Sequence, residues 1–315
     1  MAGTTSVACV GAGLIGRSWA MVFARAGHDV RLWDAKPEAA GDARAFCAKM
    51  LPELEKLGLI DSPADQVLAL IRPVETLEEA LDGALHVQES TFEDIDVKRE
   101  IFATLDALAG PDTVLASSSS ALLPSAISEG LEGRHRAMVN HPINPSYLVP
   151  AAELVPAPWT DKALMTRTAE MLRGAGMQPI VMQREIDGFV MNRMQGALLH
   201  EAFRLVADGY ASAEDVDIGI REGLALRWSF MGPFETIDLN APGGVRDYVE
   251  RYAGIYDDMA GLPAADWRGE ALDRIEAVRR AALPKEDLAE RQTWRDRRLM
   301  ALAAQKRRAA NEIGE

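Results

Sequence analysis

The sequence predicts an α/β chain in which a doubly wound, mostly parallel sheet is followed by an all-helical domain. Three observations predict it. Short apolar runs alternate with helix-period segments from residue 5 to about 183, the pattern of a parallel sheet covered on both faces. A Gly11-x-Gly13-x-x-Gly16 turn falls at the first strand-to-helix junction, where Rossmann-type folds place their phosphate-binding turn. After Glu185 the periodic segments are helical and no strand pattern returns.

Strands are expected at 6–10, 30–33, 85–88, 113–116, 137–140 and 179–182, with helices over 14–26, 37–57, 97–108 and 161–174. Beyond them, 187–208, 212–222, 245–257, 266–282 and 285–310 show helical periodicity. Asp187 is placed to cap the first of these helices through its carboxylate, and Gly209 to close it. Pro284 suits the start of the last helix, where its missing N–H costs nothing. The expected division is a nucleotide-binding domain at 1–185 and a helical domain at 186–315. A chain of 315 residues accommodates both.

Charge and composition exclude several functions. A net charge of −14 disfavours nucleic acid and anionic membrane surfaces as partners, while a few local arginines still permit an anionic substrate. No apolar run approaches the roughly 18–20 residues needed to cross a bilayer. The first residues lack a basic segment followed by an apolar core, so no signal peptide is expected. Cys9 and Cys47 read as buried apolar side chains, with neither a disulfide framework nor a metal site. The expectation is a soluble, cytoplasmic protein.

The glycine-rich turn carries the first chemistry. Gly11 permits the tight turn, Gly13 lets a pyrophosphate approach the backbone, and Gly16 lets helix and strand pack closely. With Leu14 and Ile15 they form a helix N-terminus, where free N–H groups and the helix dipole favour phosphate. Asp34 ends the second strand 18 positions past Gly16, placed to accept hydrogen bonds from the adenine-ribose hydroxyls. An acid there repels a 2′-phosphate and so favours NAD over NADP. His141, on a loop closing another apolar run, is a candidate proton acceptor for hydride-transfer chemistry, since an imidazole with an ordinary pKa of about 6.5 accepts protons at neutral pH.

Further segments carry a resemblance. Ser117-Ser118-Ser119-Ser120, His141-Pro142-x-Asn144-Pro145, Glu153-Leu154-Val155 and Asp187-Gly188-Phe189-x-x-Asn192-Arg193 occur in the order and spacing of the 3-hydroxyacyl-CoA dehydrogenase superfamily. Residues 11–21, 117–125 and 226–240 and the Trp294-Arg295-Asp296 region most resemble its λ-crystallin / L-gulonate 3-dehydrogenase branch. The resemblance runs essentially end to end. It implies that His141 is the general base, that Glu153 fixes the imidazole tautomer, and that Ser120 and Asn192 orient the reacting oxygen. It also implies that Glu93, Lys98 and Asn144 contact the nicotinamide and its ribose, that no metal is needed, and that the helical domain forms a homodimer through an amphipathic last helix (Leu288, Leu299, Met300, Leu302).

For the substrate, Arg227 in the Leu226-Arg227-Trp228-Ser229-Phe230-Met231-Gly232-Pro233 stretch is the candidate fork for the carboxylate of a free 3-hydroxy acid. Acyl-CoA relatives place Ser and Lys where this chain has Glu38 and Glu132, acids that would repel a CoA phosphate. These residues favour a free acid, and the resemblance to the λ-crystallin / L-gulonate 3-dehydrogenase branch implies L-gulonate or a related 3-hydroxy acid as the leading substrate. The alternatives are a 3-hydroxybutyryl-CoA-type thioester and carnitine, for which Trp228, Phe230 and Tyr147 would supply an aromatic cage.

Overall fold

The protein is described from a computed structural model covering residues 5–229, 231–242, 244–259, 277, 281 and 284–314. Its sheet has eight strands: β1 (Ser6–Val10), β2 (Asp29–Trp33), β3 (Ile71–Pro73), β4 (His86–Glu89), β5 (Val114–Ser117), β6 (Ala137–Pro142), β7 (Ala151–Pro156) and β8 (Gln178–Val181). They lie in the order β3-β2-β1-β4-β5-β6-β7-β8. Every neighbouring pair is parallel except β6 and β7. The order reverses between β1 and β4, and such a switch point opens a crevice at the carboxyl ends of the strands.

The alternation of strands and helices is as expected, with two strands added. The three-residue β3 is too short to show a period. β7 follows β6 as an antiparallel return, with His141 opposite Glu153 in the register. Both sheet faces are covered. Val7, Cys9, Val30, Leu32, Val114 and Ala116 belong to one apolar cluster, and Ala8, Val10, Val87, Leu115 and Val139 to the other. Successive side chains along a strand point to opposite faces, so a strand buried on both sides reads as a continuous apolar run. Cys9 and Cys47 are both buried and free, and burial pushes the Cys47 thiol up to about 12.

By its contacts the chain divides into two units, Met1–Val190 with Thr293–Glu315, and Met191–Gln292. The last stretch, placed in the helical domain on sequence grounds, thus lies with the sheet. Within the Leu288–Ile313 helix, Met300 is 1% exposed and joins the cluster that holds Val7 and Leu32. Leu299 packs against the same cluster, whereas Leu302 stays exposed. Arg307 pairs with Asp61 and donates to the Gly58 carbonyl at 2.6 Å, and Arg297 lies 3.6 Å from Glu53. Met300, read from the sequence as part of a dimer surface, is therefore taken up by the chain's own core. Met300→Ala is expected to destabilise the sheet unit by about 2–5 kcal/mol, the usual cost of truncating a buried Met, measured as a lower urea midpoint.

The second unit contains helices at Met191–Ala207, Ala213–Ile218, Pro233–Leu239 and Gly244–Met259. Ser212 heads the second of these with a reciprocal capping box to Asp215. A π-helical stretch, Gly219–Leu224, continues it into Ala225–Trp228. The first helix begins four residues later than its sequence pattern suggested. Asp187 is not its cap, because Gly188 (φ 76°) and Phe189 (φ 50°) intervene in left-handed backbone that no α-helix accommodates. Gly209, at φ 73°, does close it. The expected helix over 266–282 lies outside the described residues, apart from isolated positions. No helix among the described residues is long and apolar enough to cross a membrane.

Candidate active site

The glycine turn has the shape that its spacing demands. A Cβ at Gly16 would sit 1.7 Å from the Gly11 carbonyl oxygen, and one at Gly11 would meet Ser90 O at 2.6 Å. Both positions are closed by backbone. At Gly13 an added Cβ meets nothing within 4 Å, so the surface there is open. Gly13 is also the N-cap of the Leu14–Arg25 helix and brings no side-chain cap of its own, which leaves first-turn N–H groups for an anion. Leu14 is 60% exposed at this rim, and Ile15 packs partly against the core.

Asp34 lies beside the turn. Its Oδ2 accepts from Ala12 N at 2.7 Å and its Oδ1 from Lys36 N at 2.9 Å. Each carboxylate oxygen has two lone pairs, so acceptor capacity remains for ribose hydroxyls. Gly11, Ala12, Gly13, Asp34, Thr91 and Ile101 are among the residues lining a cleft of about 670 Å³. Closed glycines beneath, an open Gly13 and a neighbouring acid together fit the pyrophosphate and ribose of NAD.

Further along the sheet, β6 and β7 bring two ionisable side chains together. His141 Nδ1 lies 2.7 Å from Glu153 Oε2, with His141 6% and Glu153 0% exposed. A carboxylate oxygen accepts, so Nδ1 is the donor of this bond, and in a neutral imidazole so held Nε2 carries the lone pair. The other Glu153 oxygen accepts from Val190 N at 2.7 Å. The Phe189 ring packs on the imidazole, centroid to centroid 5.7 Å.

The loop after β5 is held by an acid. Glu93 Oε1 accepts from Ser119 Oγ at 2.6 Å, Ser120 N at 2.8 Å and Ala121 N at 3.0 Å. Burial acts to raise the Glu93 carboxyl, but the Ser119 hydroxyl, the Lys98 ammonium and the two backbone N–H groups outweigh it and hold its pKa below the usual carboxylate range. Lys98 is 1% exposed and bridges both Glu89 oxygens at 3.0 Å, with Glu93 Oε2 at 3.7 Å. Glu89 also accepts from Ser117 Oγ and from Thr91 N and Oγ1, each at 2.6 Å.

The structure thus unites His141 with Glu153, and Ser120 with Glu93 and Lys98. Asn144 is exposed on the loop leaving β6. Asn192 and Arg227 lie in the second unit, Asn192 in the first turn of the Met191–Ala207 helix. Arg227 is exposed and makes no salt bridge among the described residues. Of the aromatic cage considered for carnitine, Tyr147 is 3% exposed with its hydroxyl engaged by Asp296, and Phe230 lies outside the described residues. Sequence reasoning missed Glu89 and gave no role to Ser117 and Phe189, which stand within the motifs quoted above. The signal for Glu89 was present: polar residues in the His-Val-Gln-Glu strand, central in a parallel sheet, must be paired when buried. No metal-holding cluster occurs among the described residues.

Comparison with known proteins gives a consistent picture. Residues 6–186 match the family described as 3-hydroxyacyl-CoA dehydrogenase, NAD binding domain, and residues 188–266 match 3-hydroxyacyl-CoA dehydrogenase, C-terminal domain. The chain is 43% identical over 303 residues to a lambda-crystallin homolog of Bos taurus, covering 94% of each. It is 35% identical over 310 residues to an L-carnitine dehydrogenase of Nocardiopsis dassonvillei, covering 98% of this chain and 92% of that one. A crystal structure of 5-formyl-3-hydroxy-2-methylpyridine 4-carboxylic acid 5-dehydrogenase superposes with a TM-score of 0.81 at 24% identity, covering 99% of this chain and 100% of that one. That last likeness concerns the fold alone.

Proposed function

The chain belongs to the 3-hydroxyacyl-CoA dehydrogenase family as an NAD-dependent dehydrogenase, and we propose that it oxidises the secondary hydroxyl of a free 3-hydroxy carboxylate of the L-gulonate type. The observation that carries the chemistry is the buried His141–Glu153 pair on adjacent strands. When bound, NAD accepts the hydride from the carbinol carbon. His141 Nε2 takes the hydroxyl proton, and Glu153 keeps the ring proton on Nδ1 and balances the imidazolium that forms. We assign Ser120, on the loop gathered by Glu93, and Asn192 to the reacting oxygen. Gly11, Gly13, Leu14, Ile15, Gly16 and Asp34 are assigned to the pyrophosphate and adenine ribose, and Glu93, Lys98 and Asn144 to the nicotinamide end.

Arg227 supports a free acid as substrate. It is an exposed guanidinium with no salt bridge among the described residues, suited to a two-pronged bond with the substrate's carboxylate. The L-carnitine dehydrogenase relative acts, by its name, on a free 3-hydroxy acid, and Glu38 and Glu132 are exposed acids unfavourable to CoA. With Tyr147 buried, carnitine lacks one wall of its cage. The reading includes a homodimer formed through the helical unit, where Met194 and Phe234 are 61% and 79% exposed, and a cytoplasmic location.

A substrate panel tests this reading. NADH formation is expected with L-gulonate and not with 3-hydroxybutyryl-CoA or L-carnitine, and turnover of the thioester alone would overturn it. Arg227→Met is expected to raise KM for the hydroxy acid by roughly tenfold to a hundredfold, the worth of a charged bidentate contact, with NADH affinity unchanged. An unaltered KM would remove Arg227 from the substrate.

A further inference from the structure

The turn joining the two units wraps around the catalytic pair. Gly188 and Phe189 are consecutive left-handed residues, and Phe189 is the non-glycine residue with positive φ among the described residues. Such backbone persists at a side-chain-bearing residue only where the surroundings enforce it, and it clusters where strain serves a site. The enforcement here is visible. Phe189 N donates to Ile186 O at 3.0 Å, the ring is 0% exposed, and Val190 N donates to Glu153 Oε1 at 2.7 Å. A glycine at 189 would adopt the same backbone without strain. What the strain secures is the ring itself, which lies 5.7 Å from the His141 imidazole at an interplanar angle of 53°.

We propose that Phe189 is a positioning residue: with Val190 N–H it locks the His141–Glu153 pair in a single geometry and tautomer. Glu153 alone does not suffice for this. A carboxylate bound only through one oxygen can rotate about its terminal torsion, which is broad, and carry the imidazole with it. Val190 N–H holds the second oxygen, and the Phe189 ring closes the space into which the imidazole would turn. One short turn therefore restrains both members of the pair, the acid through backbone and the base through packing. The inference rests on His141 being the proton acceptor, but the locking is a property of the protein before any substrate binds.

The test uses ¹⁵N-histidine-labelled full-length protein without substrate, with F189L and F189M as two apolar replacements of similar bulk. In the parent, His141 is expected to show one tautomer protonated on Nδ1. In both variants its ring nitrogens should move toward the average of two tautomers, while the NADH dissociation constant holds. With a hydroxy-acid substrate, kcat should fall by about tenfold to a hundredfold, as misplacement of a catalytic group does, and KM for NAD should stay level. Parent-like His141 nitrogen shifts in either folded variant would overturn the proposal. Loss of NADH binding in both variants would overturn it too, by making the ring a packing element. Because the nitrogen shifts need no substrate, they separate failure of this proposal from a wrong choice of hydroxy acid.

Discussion

His141→Ala is expected to lower kcat by about 10²–10⁴-fold, the usual contribution of general acid–base catalysis, and to leave NADH affinity where it is. His141 lies on β6, while the cleft formed by the glycine turn and Asp34 is lined by residues 11–13, 33–36, 90–92, 97, 100, 101 and 104 among others, without His141. The two functions are therefore separable by mutation. Glu153→Gln should fall in the same direction, because an amide can present its NH₂ to Nδ1 and push the ring proton onto Nε2, leaving no base. Steady-state NADH formation beside a fluorescence titration of NADH is the measurement. An alanine variant with parental kcat would remove His141 from the proton path.

Glu89→Ala is expected to cost much of the protein's stability, because Glu93 Oε2 at 3.7 Å is then the carboxylate left near Lys98. It leaves the Lys98 ammonium, 1% exposed, without the carboxylate that bridges it, and it strips the Ser117 hydroxyl and both Thr91 donors of their acceptor. Removing one partner of a buried ion pair costs about 3–5 kcal/mol, because the charge left behind stays desolvated. The double variant Glu89→Met, Lys98→Met is expected to recover much of that loss, since the penalty belongs to the unpaired charge rather than to the missing bond. Urea unfolding of the singles and the double completes the cycle. Equal losses in Glu89→Ala and in the double variant would contradict the argument.

The nucleotide half of the site was legible because its signals are local. A strand, three glycines and an acid 18 positions on sit within one strand–helix–strand unit, where Gly11 and Gly16 are closed by backbone and Gly13 faces open space. The His141–Glu153 pair was legible only through resemblance. Its two members meet because β6 and β7 pair antiparallel in one register, and a one-residue slip would send Glu153 to the opposite face. Nothing between residues 141 and 153 states that register. Asp187 misled for a related reason: it is a good capping residue ahead of a periodic run, and periodicity does not reveal that Gly188 and Phe189 turn left-handed first. The burial of Lys98 against Glu89 was not legible either, because the two residues stand on different elements whose approach no local pattern states. The pairing of Arg307 with Asp61 spans most of the chain and leaves no trace in local pattern.

Because Met300 joins the apolar cluster of the sheet unit and Arg307 reaches Gly58 and Asp61, that unit is assembled from two stretches of chain separated by about a hundred residues, Met1–Val190 and Thr293–Glu315. During translation the strands around the glycine turn emerge first, and the helix that carries Met300 emerges only after the second unit. A chain halted at residue 190 would lack Met300, which is 1% exposed in the complete fold, and so would leave its place in the apolar cluster unfilled.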